Sequence, residues 1–275
     1  MDTLETPSGK NEKTENFPVE KLVGPQYRPH VRAFYAFARA ADDISDNPML
    51  TASEKVARLN RFDTALMTPN DDTIPALIPL RESLAETGVT PQHARDLLIA
   101  FKRDATKLRY ENWEELLDYC RYSAAPVGRY MLDLHGEDKS TWPASDALCT
   151  ALQIINHIQD CADDYRQLDR VYIPLDMMAV KGATPEALAG VESTPALHET
   201  LMAMLDKMGP MVELAQTFAS QIRDPRLRYD TAVTTTIAVR LVKLLRERDP
   251  LKDDVKLSQR QKLTAMATGF IKMWM

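Results

Sequence analysis

The chain has 275 residues, of which 44% are hydrophobic and 27% charged, and its formal net charge is −6. That balance is typical of a soluble globular protein, and the acidic surplus leaves no basic stripe for nucleic acid. No stretch reaches the ~18 apolar residues of a spanning helix, and nothing near the N-terminus reads as a signal peptide. Three cysteines, Cys120, Cys149 and Cys161, lack metal spacing and are odd in number, which points to a reducing cytosol.

Residues 1–15 are polar and predict a disordered arm, leaving 16–275 as one domain. Glycine is scarce and period-2 alternation is absent, so the domain reads as all-α, a single helical bundle. The first helix runs from about Pro29 to Asp46, with Pro48 just beyond it. Thr51 and Glu54 form a capping box for the next, which ends near Thr68. Further helices are predicted over 75–87 and 91–109, the latter opened by Thr90-Pro91. WEELLDYCRYSAAPVGRYMLDLHG predicts a long helix broken around Pro126 and Gly128 and stopped by Gly136. A helix from Ser145 or Asp146 follows, then a loop from Asp169 to Asp176 and short helices near 176–181 and 185–189. Helices over 195–223 (kinked at Gly209-Pro210), over 226–248 and from Ser258 complete the chain.

Chemistry concentrates in two acidic clusters. FYAFARAADDISD holds Asp42, Asp43 and Asp46; QIINHIQDCADDYRQLDRVYIP holds Asp160, Asp163 and Asp164. At ~100° per residue, Tyr35, Arg39, Asp42, Asp43 and Asp46 fall within roughly 100° of arc. Gln153, Asn156, Asp160 and Asp164 form a stripe of about 80° by the same count. Both stripes sit among apolar residues, and carboxylates that close repel by ~4 kcal/mol per pair at ~4 Å and an effective dielectric near ~20. Cations between the two faces relieve that repulsion. Oxygen-only ligands select a hard ion such as Mg²⁺, which keeps waters and bridges to phosphate. Such a site suits ionisation of a prenyl diphosphate, whose leaving charge the metal neutralises. The carbocation then needs a dry cavity with aromatic faces. Arg39, one turn before the first cluster, and Arg170 and Tyr172, after the second, are the candidate diphosphate contacts.

FYAFARAADDISD resembles the first aspartate-rich motif of the squalene and phytoene synthase family. QIINHIQDCADDYRQLDRVYIP resembles its second, which usually reads Gln-Leu-Thr-Asn-Ile-Leu-Arg-Asp-Val and so on to Arg-x-Tyr-Leu-Pro. The resemblance implies the all-α class I isoprenoid synthase fold with a central cavity. It implies metal ligation by Asp42, Asp46, Asp160 and Asp164, with Asp43 and Asp163 as secondary candidates, and two or three Mg²⁺ ions held with the diphosphate. Gln153 and Asn156 match polar groups lining the cavity. RYENWEELLDYCRYSAAPVG resembles a third family block, in which Tyr119 matches a tyrosine facing the reacting carbons. Val127 and Gly128 match a close approach of helix to substrate.

Other stretches narrow the resemblance: ENFPV at 15–19, RPHVRAFYAFAR at 28–39, SAAPVGRYMLDLHGE at 123–137, and an extra residue before Arg170. Together they resemble the branch that converts presqualene diphosphate to hydroxysqualene in bacterial hopanoid synthesis. Gln159 stands where condensing relatives carry arginine, and loss of that cation suggests a substrate with one diphosphate rather than two. Water capture rather than hydride transfer implies no nicotinamide, and no GxGxxG stretch is present. Gln153, Asn156 and Tyr119 are the candidates for positioning the water.

Each residue also has a plainer reading. Arg39 can pair with Asp42 or Asp43 along its own helix, Arg170 can cap a helix end, and Tyr119 can be ordinary core. His157 lies off the stripe and reads as a satisfied helix residue. Arg32, Lys102, Asp104 and Arg109 fit an interior salt bridge equally well. The C-terminal LTAMATGFIKMWM predicts a final packed helix, with peripheral membrane contact as the other reading. Two functional rivals stand beside the main one: head-to-head condensation of farnesyl diphosphate, and a non-catalytic assembly protein on the same fold. The expected location is the cytoplasm, with handover of a greasy product at the inner face of the membrane or to a neighbouring enzyme.

Overall fold

The computed structural model describes residues 23–272. The predicted arm at 1–15 and the ENFPV stretch lie outside the described residues. Helix α1, Arg28–Ser45, buries Val31, Phe34, Phe37, Ala41 and Ile44 on one face, as its apolar spacing requires. Helix α2, Ala52–Met67, starts with the predicted capping box, Thr51 and Glu54 each satisfying the other's backbone amide. Helices α3, Leu77–Thr87, and α4, Gln92–Thr106, complete a packed group with α1 and α2. Its core includes Leu59, Phe62, Leu77, Leu80 and Leu98, and Tyr130 stacks on Phe34 at 4.0 Å.

Helices α5, Trp113–Ser123, and α6, Ala125–Leu134, are the predicted broken pair. The break falls at Ala124, because Pro126 lacks an amide proton and is tolerated only in a helix's first turn. Gly128 does not approach a substrate cavity: a Cβ there would lie 2.4 Å from Ser145 Oγ and 2.7 Å from Cys149 Sγ. Its lack of a side chain lets α6 close on α7, while Val127 is 43% exposed. This corrects the reading of both residues as substrate-facing.

Helix α7, Trp142–Gln159, begins earlier than predicted, at a Trp-Pro pair that follows a short 3-10 turn at Lys139–Thr141. Its Ala151, Ile154, Ile155 and Ile158 are fully buried, and it packs on α5, α6, α11 and α13. Helix α8, Cys161–Leu168, follows without a loop. Then come α9, Leu175–Lys181, and a 3-10 turn, Pro185–Ala189. The predicted 195–223 helix divides into α10, Pro195–Lys207, α11, Gly209–Gln216, and α12, Phe218–Gln221. The break at Gly209-Pro210 was legible; the one at Thr217 carried no Gly or Pro signal. Helix α13, Pro225–Glu247, and α14, Gln259–Lys272, close the bundle.

Among the described residues there is no strand, only a single parallel bridge between Arg109 and Val171. No described helix is long and apolar enough to cross a membrane. Helix α14 packs on α13 through buried Ala265 and through Gly269, whose missing Cβ would lie 2.5 Å from Val233 Cγ2 and 2.9 Å from Val233 N. Backbone cannot rotate away as a side chain can. Gly269→Ala is therefore expected to destabilise the protein by about 1–3 kcal/mol, measured by urea denaturation; an unchanged midpoint would contradict this packing.

Candidate active site

The end of α1 and the α7–α8 junction face one cavity of about 400 Å³. Asp42 and Asp46 line it from the first, Asp160 and Asp164 from the second. The second cluster is not on one unbroken helix, as the stripe assumed. Asp160 sits at the joint with φ −99° and ψ 6°. Two backbone bonds, Asp160 N to Asn156 O and Asp164 N to Asp160 O, both 2.8 Å, keep the four-residue spacing across it. The carboxylates thus stay on the side that Gln153 and Asn156 present to the cavity. Asp163 is exposed and outside it, and Asp43 is buried beside Arg39, outside it as well.

Three carboxylates crowd the C-terminal end of α1, where the helix dipole disfavours them and the last turn has no basic residue. Besides Arg39, one turn back on α1, the cations come from elsewhere in the chain. Buried Arg170 donates through Nη1 to Asp46 (2.6 Å), through Nη2 to Ser45 O (2.9 Å) and through Nε to Asp104 O (3.0 Å). Lys55 Nζ also donates to Ser45 O, at 2.8 Å. Arg170 reaches this point because its loop pairs with the segment after α4: Val171 N binds Leu108 O and Leu175 N binds Tyr110 O, both at 2.9 Å. Three of its five N–H groups are engaged by protein. Arg39 lines the cavity while its guanidinium bridges Asp42 and Asp43 at 3.0 Å each.

Behind the carboxylates lies a buried aromatic floor. Asp104 accepts hydrogen bonds from Tyr119 and Tyr172, each at 2.8 Å. Tyr110 stands 5.3 Å from Tyr119 and 5.5 Å from Tyr172, ring to ring, and its buried hydroxyl has no protein partner. Burial pushes the Asp104 carboxyl up to about 6, against the pull of Arg170 and the two phenols. The sequence offered Asp104 only as one of four weak site candidates that an interior salt bridge explains equally well. Of the others, Lys102 binds Asn60 and Arg109 binds Asp169, both away from this floor.

His157 is a satisfied helix residue, as read from the sequence, but not one that turns away from the site. It lines the cavity, 6% exposed, stacked on Tyr172 at 3.7 Å, with Nε2 3.1 Å from Gln153 Nε2. Burial, reinforced by Arg170, holds its imidazole down to about 3. The native state therefore stays neutral while the unfolded chain binds a proton as pH falls below ~6.5. Its contribution to stability is complete above that value and declines as pH falls toward 3. Denaturation of His157→Phe is expected to show a shallower acid loss, by about 2–4 kcal/mol over the window; identical acid limbs would contradict the burial.

Gln159 does not face the aspartates. Its amide donates to Val255 O, tying the end of α7 to the segment after α13, and it is absent from the cavity wall. The inference from lost charge at Gln159 to the number of diphosphates therefore has no geometric support.

Among the described residues no three His, Cys, Asp or Glu side chains converge enough to hold a metal alone. The donor set consists of carboxylate pairs, which fits a hard ion sharing its shell with water and phosphate. Burial first, then repulsion from Asp160, pushes Asp164 up to about 7 despite Arg170. Negative charge at this mouth exceeds what the protein's cations balance.

A helical bundle whose acidic segments flank one aromatic-floored cavity is the all-α isoprenoid synthase architecture. A solved squalene synthase, HpnC from Alicyclobacillus acidocaldarius, is similar with TM-score 0.75 and 30% identity, covering 83% of this chain and 86% of that one. Residues 11–261 match the squalene/phytoene synthase family. A hydroxysqualene synthase of Rhodopseudomonas palustris is 46% identical over 251 residues, 91% of this chain and 86% of that protein. Another, of Sinorhizobium fredii, is 43% identical over 90% of this chain and 84% of its own. The chain belongs to the squalene/phytoene synthase family, and it is an enzyme.

Proposed function

We propose that this enzyme ionises presqualene diphosphate in a Mg²⁺-dependent step and captures the carbocation with water, releasing hydroxysqualene and diphosphate. The observation that carries the reading is the meeting of Asp42 and Asp46 with Asp160 and Asp164 around one cavity backed by buried aromatic rings. The relatives named hydroxysqualene synthase, similar over nine-tenths of the chain, support the choice of substrate. Bound between the acidic pairs, Mg²⁺ would supply Lewis-acid neutralisation of the leaving group.

The protein's own groups do the rest. Arg170 holds Asp46 in place and offsets its charge. Arg39 sets Asp42 in the same way, and Arg39, Arg170 and Tyr172 border the space for the diphosphate. The rings of Tyr119 and Tyr172 line the cavity with Tyr110 packed behind them, an aromatic setting that suits a cation, and their burial excludes bulk water. Gln153 and Asn156 are polar walls where a single water can be held. A non-catalytic assembly role is disfavoured, because both acidic segments are intact and face each other. A greasy product argues for handover in the cytoplasm to a bilayer or a neighbouring enzyme. Helix α14 turns Leu263, Phe270 and Ile271 outward, 56–64% exposed, which suits such contact.

The name of the solved squalene synthase keeps head-to-head condensation as the second reading. Steady-state kinetics with Mg²⁺ separates them. The proposal predicts kcat/KM for presqualene diphosphate at least about a hundredfold above that for farnesyl diphosphate. A preference for farnesyl diphosphate would overturn it.

A further inference from the structure

We propose that His157, working with Gln153, takes the proton from the water that captures the carbocation; this rests on the functional reading above. The chain places an imidazole at 157, and the fold turns it into the cavity rather than away from it. A buried imidazole in place of a hydrocarbon costs stability unless it has polar work to do.

The geometry suits a proton acceptor. The Gln153 amide nitrogen can only donate, so at 3.1 Å it meets a lone pair on His157 Nε2, and the ring proton is on Nδ1. Rotation of the Gln153 amide frees that lone pair for a water, whose other hydrogen Gln153 Oε1 can accept. The stack on Tyr172, at 3.7 Å and 17°, fixes the ring plane beside the aromatic floor. Burial keeps the ring neutral, so it adds no positive charge beside a cation and its lone pair is available throughout the neutral range.

The other groups at this depth are less suited. Tyr119 and Tyr172 donate their hydroxyl protons to Asp104, and each Asp104 oxygen accepts one of them. Asn156 has an amide, which is not a base. In the step itself the water oxygen's lone pair forms the C–O bond, and the O–H bond breaks as the proton passes to Nε2. The imidazolium then gives that proton to the departing diphosphate, restoring the neutral ring. No oxidant or reductant enters.

The test measures the alcohol-to-hydrocarbon ratio per diphosphate released from presqualene diphosphate with Mg²⁺. His157→Phe keeps the stack on Tyr172 and removes both nitrogens; its ratio is expected to fall about tenfold or more from the wild type. His157→Gln, which can hold a water but not take its proton, is expected to lie between. A smaller fall in a folded His157→Phe overturns the proposal, as does loss of all diphosphate release in that variant. Should His157→Phe not fold, a fall of about threefold or more in His157→Gln supports the proposal and a smaller one overturns it. Wild-type protein that releases no diphosphate defeats the functional reading instead. Wild-type alcohol formation with an unaltered ratio in the variants defeats only the role of His157.

Discussion

Asp164→Asn is expected to reduce kcat/KM for diphosphate release by roughly 10²–10³-fold while making the metal-free protein more stable. Activity falls because one of four carboxylates that would hold the metals is lost. Stability rises because Asp164 is ionised only at a cost: burial and Asp160 raise it from 3.8 to about 7. The sign follows from proton binding. Between those values the native state holds a proton that the unfolded chain has released, so this group's contribution declines as pH rises through the window. Above pH ~7 the whole penalty is present, on the order of 1–3 kcal/mol, and asparagine removes it. Denaturation without metal should find the variant more stable near pH ~8, with the gap shrinking near pH ~5 as Asp164 protonates. Millimolar Mg²⁺ with diphosphate should raise the melting temperature of the wild type more than that of the variant. A variant that is less stable than wild type and fully active would contradict this picture of the site.

Arg170→Leu is expected to have the largest effect on folding, a loss of about 3–5 kcal/mol. The side chain is 7% exposed and joins three parts of the chain: the end of α1 at Asp46 and Ser45 O, the end of α4 at Asp104 O, and the loop after α8. Leucine fills much of the space but leaves Asp46 without its cation and two carbonyls without these donors. Arg170→Lys retains charge but not the planar fork, and a loss of about 1–3 kcal/mol is expected for it. Urea denaturation of both variants tests the ranking. Equal stability of wild type and Arg170→Leu would mean that the arginine does not hold the two acidic segments in register.

Much of this is legible in the amino-acid sequence. Asp42, Asp46, Asp160 and Asp164 were readable because helical spacing and motif context act locally. The Thr51–Glu54 capping box was readable for the same reason. The α7–α8 joint at Asp160 was not, since it contains neither glycine nor proline and the i to i+4 bonds continue through it. In the sequence Asp104 was only a weak candidate and His157 only a helix residue, because their places in the site come from distant partners. Asp104 meets Tyr172 across 68 residues, and His157 meets Tyr172 through the return of a loop. A helical wheel centred on the carboxylates puts His157 off the stripe, yet it cannot say how wide the cavity is. Gln159 was misread for the converse reason: adjacency in sequence to Asp160 suggested adjacency in the site, while the side chain turns to Val255.

The most direct test of the central claim is a single-turnover reaction of the purified enzyme with presqualene diphosphate and Mg²⁺, without nicotinamide, in water labelled with heavy oxygen. The account predicts diphosphate release matched by hydroxysqualene carrying the heavy isotope at its hydroxyl. Unreacted substrate, or release of diphosphate with no labelled alcohol, would contradict it.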